Sequence, residues 1–343
     1  MADEEGPAIA TTADPAAPGS PSPDPGVDSQ SAGSIDLAGV GHAGDITFRA
    51  LAYIAAFLVV MLVLFVGIFL AVIAAPSLSH DTANFFTSTA WNVTGTTLEF
   101  GIAGLLWTTV LSSVVAMVFA VPIAVGTALL VTHYVPPRLG SAIGFVIDLL
   151  AAVPSIIFGL WGLKVLGPAL APFYTAVQQA LGWIPLFGKG IESTGNVFTA
   201  SLVLAIMVLP IISAISRDVF AQTPRDHIEA ALALGATKWE MVRTAVIPYG
   251  RSGVVAASML GLGRALGETV AVMIILSQTN TGGINPSLFA GGETFASKIA
   301  NNAAEFDSPA KTGAYIAAGL VLFVVTFAVN ALARLVADRK ATQ

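Results

Sequence analysis

The sequence predicts an all-α integral membrane protein with six membrane-spanning helices. Of its 343 residues, 55% are hydrophobic and only 10% are charged, and the mean hydropathy is +0.80. A soluble domain carries about a quarter charged residues, so this composition is typical of a chain whose surface contacts lipid. Six apolar stretches each hold the roughly 20 residues that a helix needs to cross a bilayer. These stretches cover residues 51–75, 103–132, 141–163, 197–216, 252–279 and 312–333.

The first 48 residues are predicted to be a disordered acidic cytoplasmic tail, and residues 49–339 to be the transmembrane domain. The tail holds eight Asp or Glu residues and no Lys or Arg, and it is rich in Pro, Ala, Gly and Ser. Such a composition cannot bury enough apolar surface to become ordered. The tail also lacks a basic region followed by a short apolar core, so we do not interpret it as a cleaved signal peptide.

Charged residues between the apolar stretches indicate which side of the membrane each loop faces. With six spans and the N-terminus inside, the cytoplasmic side collects ten Lys and Arg residues, and the outside collects four. The first outer loop, 76–100, contains none. Because cytoplasmic loops carry the excess of positive charge, we expect a multi-pass protein of the cell (inner or plasma) membrane with both termini in the cytoplasm.

Missing residue types exclude several classes of function. The chain has no cysteine, so it forms neither disulfides nor thiolate metal sites, and its four histidines are scattered. We therefore predict no metal site. No G-x-x-x-x-G-K-[ST] loop is present to cradle the phosphates of ATP. No combination of Ser, His and Asp is typical of an intramembrane hydrolase, so we predict no catalytic residues.

The cytoplasmic segment 223–248 has the pattern of two short helices joined at a glycine. Thr223 and the proline after it are typical of a helix start, with a hydroxyl N-cap and a proline at the first helical position. Gly235 ends this helix, and Thr237 with Glu240 forms a capping box that starts a second one. The pattern favours a rigid element that docks on a soluble partner. The alternative is an amphipathic loop that lies on lipid headgroups.

The same segment resembles the signature loop of the ABC importer permeases. In that family the loop reads E-A-A, three residues, Gly, nine residues, and then I-x-L-P. The matching positions here are Glu229, Ala230, Ala231, Gly235 and Pro248. The usual Ile and Leu of the last element are replaced by other apolar residues. The resemblance implies the six-helix type I (MetI-like) permease fold, with the first short helix as a coupling helix that docks on a separate ATPase.

Two charged residues, Arg264 and Glu268, fall inside the fifth predicted span. Four residues apart, they share one face of a continuous helix. A charge near the bilayer midplane costs at least about 2.5 kcal/mol, so each must face protein, water or an opposite charge. One interpretation is an ion pair that locks the helix. The other is an anion site, because a guanidinium matches the oxygens of an oxyanion bidentately. The residues alone favour an anion without separating phosphate from sulfate.

The residues around these charges resemble the phosphate-specific branch of the permeases. The sequence reads G-L-G-R-A-L-G-E-T over 261–269 and D-L-L-A-A-V-P-S over 148–155. Both stretches are similar to motifs of the PstC branch, and the similarity covers residues 49–339. It implies that inorganic phosphate is the substrate. It also implies a substrate pathway lined by Arg264, Glu268, Thr269, Asp148 and Ser155.

Asp148 lies about 10 Å into the third predicted span. It could pair with Arg264 or with another cation, line the pathway, or cap and pack as an acid near the membrane interface. Lys164, at the outer end of the same span, has no predicted role.

The resemblance further implies the rest of a transporter. The expected partners are a second, PstA-like permease subunit, a dimer of PstB-like ATPases that bind ATP and Mg, and an extracytoplasmic PstS-like phosphate-binding protein. The chain itself is expected to bind no cofactor and no nucleic acid. Two alternatives stay open at this point: an ABC permease for another oxyanion such as sulfate or molybdate, and an ion-coupled secondary transporter that needs no ATPase.

Overall fold

The computed structural model describes residues 42–94, 97–188, 195–276 and 284–341, and these are mostly helical. The chain divides into two units, Met1–Val60 and Met61–Gln343. A short antiparallel pair of strands, β1 (Trp91–Asn92) and β2 (Glu99–Phe100), follows the first helix. The helices are α1 (His42–Ser79), α2 (Ala103–Leu129), α3 (Pro137–Ala151), α4 (Ser155–Trp161), α5 (Gly167–Leu181), α6 (Val197–Ala221), α7 (Arg225–Ala233), α8 (Lys238–Met241), α9 (Ile247–Gly267), α10 (Val270–Ile275), α11 (Phe295–Asn301) and α12 (Pro309–Ala341).

Six helical stretches of the described chain are long and apolar enough to cross a membrane, so the predicted number of spans is confirmed. They are Gly44–Ser79, Ala103–Tyr134, Ser155–Leu181, Val197–Ala221, Lys238–Gly267 and Pro309–Leu332. Because α1 already begins at His42, the last seven residues of the predicted tail are helical. The remainder of that tail, residues 1–41, lies outside the described residues.

The third predicted span, 141–163, is interrupted rather than continuous. Helix α3 ends at Ala151 and α4 begins at Ser155, with Pro154 between them. A residue that precedes a proline is disfavoured in helical conformation, which explains the break. The continuous helical stretch that follows, Ser155–Leu181, is by length alone the better candidate for a span.

Contacts with α6 nevertheless place α3 and α4 together along one membrane-spanning path. Gly144 of α3 packs against the side chain of Arg217, near the C-terminal end of α6. Gly162, just after α4, packs against Val203 near the N-terminal end, where a Cβ would lie 2.8 Å from the Val203 side chain. The two short helices therefore run antiparallel to α6 over most of its length. By these contacts, the third membrane-spanning path consists of α3 and α4.

The fifth predicted span, 252–279, is also wrong as a single helix. The helical stretch begins earlier, at Lys238, and ends at Gly267. Glu268 then adopts an extended conformation with φ −68° and ψ 125°, and the short α10 begins at Val270. Residues 277–279 of the predicted span lie outside the described residues.

Three five-residue π-helical segments occur in the described chain: Leu130–Tyr134, Gly162–Leu166 and Val242–Val246. The second and third end two residues before a proline that lies inside the continuing helix, Pro168 and Pro248, whereas the first ends its helix at the extended Val135, ahead of Pro136. A proline inside a helix lacks the N–H for the usual bond and clashes with the carbonyl four residues earlier. The wider π turn opens the backbone at that carbonyl. The helix therefore continues through Pro248, beyond the predicted segment 223–248.

Helix α6 forms the centre of the largest core cluster, against α2 on one side and α9 on the other. Four alanines of α2 at four-residue spacing are fully buried: Ala116, Ala120, Ala124 and Ala128. Gly261 of α9 lies so close to Ile212 that a Cβ there would be 2.7 Å from its side chain. Small residues on facing helices let backbones approach in a bilayer. This close packing fixes α9, and with it the candidate site, relative to α6.

Candidate functional site

Arg264 lies in the last turn of α9, and its side chain is exposed. No ion pair in the described part of the chain includes it. It stands within a stretch long and apolar enough to cross the membrane. A guanidinium in such a position keeps its charge and needs water, a partner or an anion. The Arg264 side chain is therefore accessible to a ligand from outside this chain.

Glu268 does not share a helix face with Arg264, because α9 ends between them at Gly267. The prediction that the two share one face of a continuous helix is wrong, and the alternative of an ion pair that locks the helix is not observed among the described residues. The Glu268 carboxylate instead accepts a hydrogen bond from the Ala271 N–H of α10 at 3.3 Å. Thr269 donates from its hydroxyl to the carbonyl of Gly267 at 3.2 Å. The break thus leaves a carboxylate that is hydrogen-bonded to the backbone, and an arginine that forms no ion pair with any described acid.

The two interrupted helices meet just beyond their breaks. Helix α4 packs against α10, and a Cβ on Gly159 would lie 3.0 Å from the Cα of Ala271. Ser155 is the first residue of α4 and is half-buried. Glu268 and Thr269 directly precede α10. Because α4 packs on α10, the two helix breaks lie at the starts of two helices in contact. Three of the predicted pathway residues are located at these breaks.

Asp148 pairs with Arg217 rather than with Arg264. Its Oδ1 accepts from Arg217 Nη2 at 2.8 Å, and the Arg217 side chain is only 17% exposed while that of Asp148 is 55% exposed. Of the sequence-based alternatives for Asp148, pairing with another cation is the one observed. Gly144 leaves the space that the guanidinium occupies. The pair fastens α3 to the C-terminal end of α6.

The Asp148→Ala variant is expected to be less stable than the wild type by about 1 to 2 kcal/mol, because it leaves a mostly buried guanidinium unpaired. The expected loss of stability is modest because Asp148 is itself half-exposed, so that solvent partly screens the pair. Thermal unfolding in detergent measures the loss. The matched variant Arg217→Met removes the charge but keeps the packing, so it should lose less. Equal losses in the two variants would show that the pair does not act through burial of Arg217.

Lys164 lies in the π-helical segment that follows α4, and its side chain is exposed. It falls two residues after Gly162, whose contact with Val203 sets it near the N-terminal end of α6. In a regular helix the Lys164 carbonyl would clash with the ring of Pro168, four residues later. This clash explains why the backbone is π-helical around Lys164.

The segment 223–248, called the coupling segment below, forms the two short helices that the sequence predicts. Ile228 and Ala231 of α7 pack on a cluster with Met241, Val242 and Val246, so one face is fixed to the membrane domain. The opposite residues Glu229 and Ala230 are exposed, as is Pro248. Beside them Leu234 is 90% and Trp239 57% exposed. This outward surface carries apolar side chains together with a carboxylate.

One detail of the predicted helix start is wrong. Pro224 is the N-cap of α7 and makes no side-chain cap bond. Thr223 is buried one residue earlier, and its hydroxyl has no hydrogen-bond partner among the described residues. The predicted capping box of Thr237 and Glu240 is present: the Glu240 carboxylate accepts from the Thr237 N–H at 2.8 Å.

Gly235 adopts the left-handed conformation, with φ +83°. Its N–H donates to the Leu232 carbonyl at 3.0 Å, and the Ala236 N–H donates to the Ala231 carbonyl at 3.2 Å. These two bonds form the Schellman motif that closes a helix C-terminus. Because nothing lies within 4 Å of a Cβ built there, the glycine is required by backbone conformation and not by space.

The Gly235→Ala variant is expected to loosen the elbow, since the left-handed conformation costs a residue with a Cβ about 1 to 2 kcal/mol. Amide hydrogen exchange in α7 should accelerate by about five- to thirtyfold, as such an energy implies. Gly235→Asn should accelerate it less, because Asn tolerates this conformation. If the Ala and Asn variants exchange at the wild-type rate, the elbow does not depend on the glycine.

Sequence reasoning missed Asn330 of α12. A Cβ on Gly263 would lie 3.9 Å from Asn330 Nδ2, so this exposed amide lies against α9 at the residue before Arg264. The signal in the sequence is a single amide within the apolar sixth span. Nothing in the sequence indicates which helix it faces.

Comparison with known proteins identifies the family. Residues 120–342 match the family described as the inner membrane component of binding-protein-dependent transport systems. The chain belongs to this family. A structure of a bacterial ABC transporter involved in the import of the acidic polysaccharide alginate has a chain of the same fold. The TM-score is 0.50 at 16% sequence identity, with 69% of this chain and 79% of that one covered. The predicted type I (MetI-like) permease fold is confirmed.

Relatives of this family member are similar over most of their length. It is 56% identical to the phosphate transport system permease protein PstC 2 of Mycobacterium tuberculosis, over 87% of this chain and 93% of that protein. It is 57% identical to the phosphate transport system permease protein PstC of Mycobacterium leprae, over 78% and 85%. The PstC protein of Mesorhizobium japonicum is 39% identical, over 84% and 89%.

Proposed function

We propose that this chain is the permease subunit of an ATP-driven ABC importer that carries inorganic phosphate into the cytoplasm. The observation that carries the proposal is Arg264, a permanent cation on the surface of a membrane-spanning stretch, with no acid paired to it in the described chain. Relatives named as phosphate transport permeases, similar over most of their length, support phosphate as the anion.

In this proposal Arg264 binds the passing oxyanion through its planar fork of N–H donors. Glu268 and Thr269 line the pathway at the break that follows α9, with Ser155 at the break before α4. Backbone groups freed at interrupted helices can face a polar cavity within a membrane. Asp148 does not contact the anion in this proposal. Its ion pair with Arg217 instead fixes the position of α3.

Arg264 faces away from the core of its own chain, so a second, PstA-like permease would enclose the pathway. A PstB-like ATPase dimer would bind ATP and Mg on the cytoplasmic side, and this chain would supply no cofactor site. A PstS-like binding protein would deliver phosphate from outside. Both termini would lie in the cytoplasm, in keeping with the excess of Lys and Arg in the segments on that side.

The coupling helix α7 would carry the motion of the ATPases to the membrane domain. Its inner face is fixed by Ile228 and Ala231, while Glu229, Ala230 and Leu234 are directed outward. A helix packed on one face and exposed on the other moves with the domain that it touches. Closure of the ATPase pair would therefore shift α8 and α9, which continue from α7 through the Gly235 elbow.

Competition between oxyanions tests the proposed substrate. Membrane vesicles that contain the complete transporter are given radioactive phosphate, with sulfate or molybdate as competitor. The proposal predicts ATP-dependent phosphate uptake that neither competitor reduces at tenfold excess. Uptake of sulfate or molybdate in preference to phosphate contradicts the choice of substrate. Uptake without ATP contradicts the mechanism and favours an ion-coupled transporter.

A further inference from the structure

Asn330 presents an exposed side-chain amide from the sixth membrane-spanning stretch. Its Nδ2 approaches the backbone of α9 at Gly263, where a Cβ would lie 3.9 Å away. At this distance the Cβ would be in ordinary van der Waals contact with the amide, so Asn330 lies against α9 at Gly263. Arg264 is the next residue of α9 and is also exposed. Asn330 thus lies against α9 at the residue that precedes Arg264, and both polar side chains are exposed.

Neither side chain has a partner within the described chain. Arg264 has no ion pair, and no hydrogen bond is formed by the Asn330 side chain to any other described residue. An unsatisfied amide in hydrocarbon is unfavourable because its donors and acceptor lose the hydrogen bonds of water. A water-filled pathway or a polar ligand removes that cost. The same requirement holds for the guanidinium, so one polar surface satisfies both groups.

The chemistry of an amide differs from that of a guanidinium in one useful way. An arginine donates hydrogen bonds only, whereas an amide donates through nitrogen and accepts through oxygen. Phosphate near neutral pH carries at least one P–OH group, while sulfate is fully ionised and presents only acceptors. A site with an acceptor for that hydroxyl binds phosphate and leaves the acceptor unpaired against sulfate. Such a site favours the protonated ligand, because only that ligand pairs with the acceptor.

We infer that Asn330 is a second contact for the transported anion beside Arg264, and that its side-chain oxygen accepts the P–OH hydrogen and so selects phosphate over sulfate. The inference rests on the proposed function and names a specificity residue for the same pathway. Arg264 supplies attraction for any oxyanion, and Asn330 supplies recognition of a protonated one.

The test uses the complete transporter in membrane vesicles, with radioactive phosphate as the probe. Asn330→Leu keeps a similar volume and removes both hydrogen-bonding functions. It is expected to raise the KM for phosphate by about tenfold, the effect of one lost hydrogen bond to a charged ligand. Asn330→Gln keeps an amide on a longer stem and should recover part of that loss. Val324→Leu, an exposed apolar position of the same helix, is the matched control and should keep the wild-type KM.

Competitors provide the readout that a structural role would not move. Arsenate also carries a hydroxyl, so it should compete with phosphate in the wild type and lose strength in Asn330→Leu in parallel with phosphate. Sulfate should compete better in Asn330→Leu than in the wild type, relative to phosphate. A wild-type KM and an unchanged competitor ranking in both Asn330 variants, at equal abundance in the membrane, overturn the inference while phosphate transport stands. A wild-type transporter that carries no phosphate overturns the proposed function, and this assignment with it.

Discussion

The Arg264→Gln variant is expected to lose ATP-driven phosphate uptake by about a hundredfold. Glutamine keeps a polar side chain of similar reach but removes the charge and the bidentate fork. Hydrogen bonds to charged groups contribute about 1.5 to 3 kcal/mol each, and a hundredfold change corresponds to about 2.7 kcal/mol. The measurement is the initial rate of uptake in vesicles, normalised to the amount of the variant in the membrane.

Two controls make the Arg264 result specific. Arg264→Lys keeps the charge but not the fork, so it should retain an intermediate rate. Arg251→Gln removes an exposed charge from the opposite end of the same helix and should transport at the wild-type rate. If Arg264→Gln transports phosphate normally, Arg264 is not a substrate contact, and the candidate site at the end of α9 is wrong.

The Glu229→Lys variant is expected to abolish stable association with the ATPase and therefore ATP-driven uptake, while the chain still inserts in the membrane. Glu229 is exposed on the outward side of α7, and that helix is held from behind by Ile228 and Ala231. Reversing the charge leaves this inner packing untouched and changes only the surface offered to a partner. Like charges placed together at an interface cost several kcal/mol. Co-purification with the ATPase measures the effect.

Charge reversal elsewhere separates docking from a general charge effect. Arg138→Glu changes an exposed residue at the start of α3 and should leave the co-purified ATPase unchanged. An intact complex and normal uptake in Glu229→Lys would show that α7 docks by other residues. The loss of association together with correct insertion would support the coupling role of this surface.

Local signals allowed the sequence to predict the coupling segment in detail. Gly235 has a positive φ, as expected of a glycine that follows a helix, and the capping box at Thr237 is formed. Such features depend on residues a few positions apart, so the chain itself contains the information. The hydroxyl of Thr223 is the exception, because burial against the rest of the domain decided its environment.

The interruptions in the membrane-spanning helices were harder to predict, since hydropathy records composition and not continuity. Pro154 lies within the third predicted span, yet it does not by itself predict the break there, because a proline in a membrane helix is often tolerated. The end of α9 at Gly267 has no proline at all. This break changes the site, because the expectation that Arg264 and Glu268 share one helix face depended on an unbroken helix.

Long-range contacts account for the other differences. Asp148 and Arg217 are 69 residues apart, and their pairing requires α3 to lie along α6. Asn330 meets Gly263 across two helices in the same way. Neither contact leaves a local pattern in one sequence. The sequence did predict the type of chemistry at the site. A charged residue inside an apolar stretch requires water, an opposite charge or a ligand, whatever the arrangement of the helices.

Reconstitution tests the central claim most directly. The chain is incorporated in proteoliposomes with a second permease subunit, the ATPase pair and a phosphate-binding protein, and phosphate accumulation is followed with ATP or with a non-hydrolysable analogue. We expect accumulation with ATP but not with the analogue, and none when the chain carries Arg264→Gln. Accumulation with the analogue, or equal accumulation by the Arg264→Gln chain, would contradict this claim.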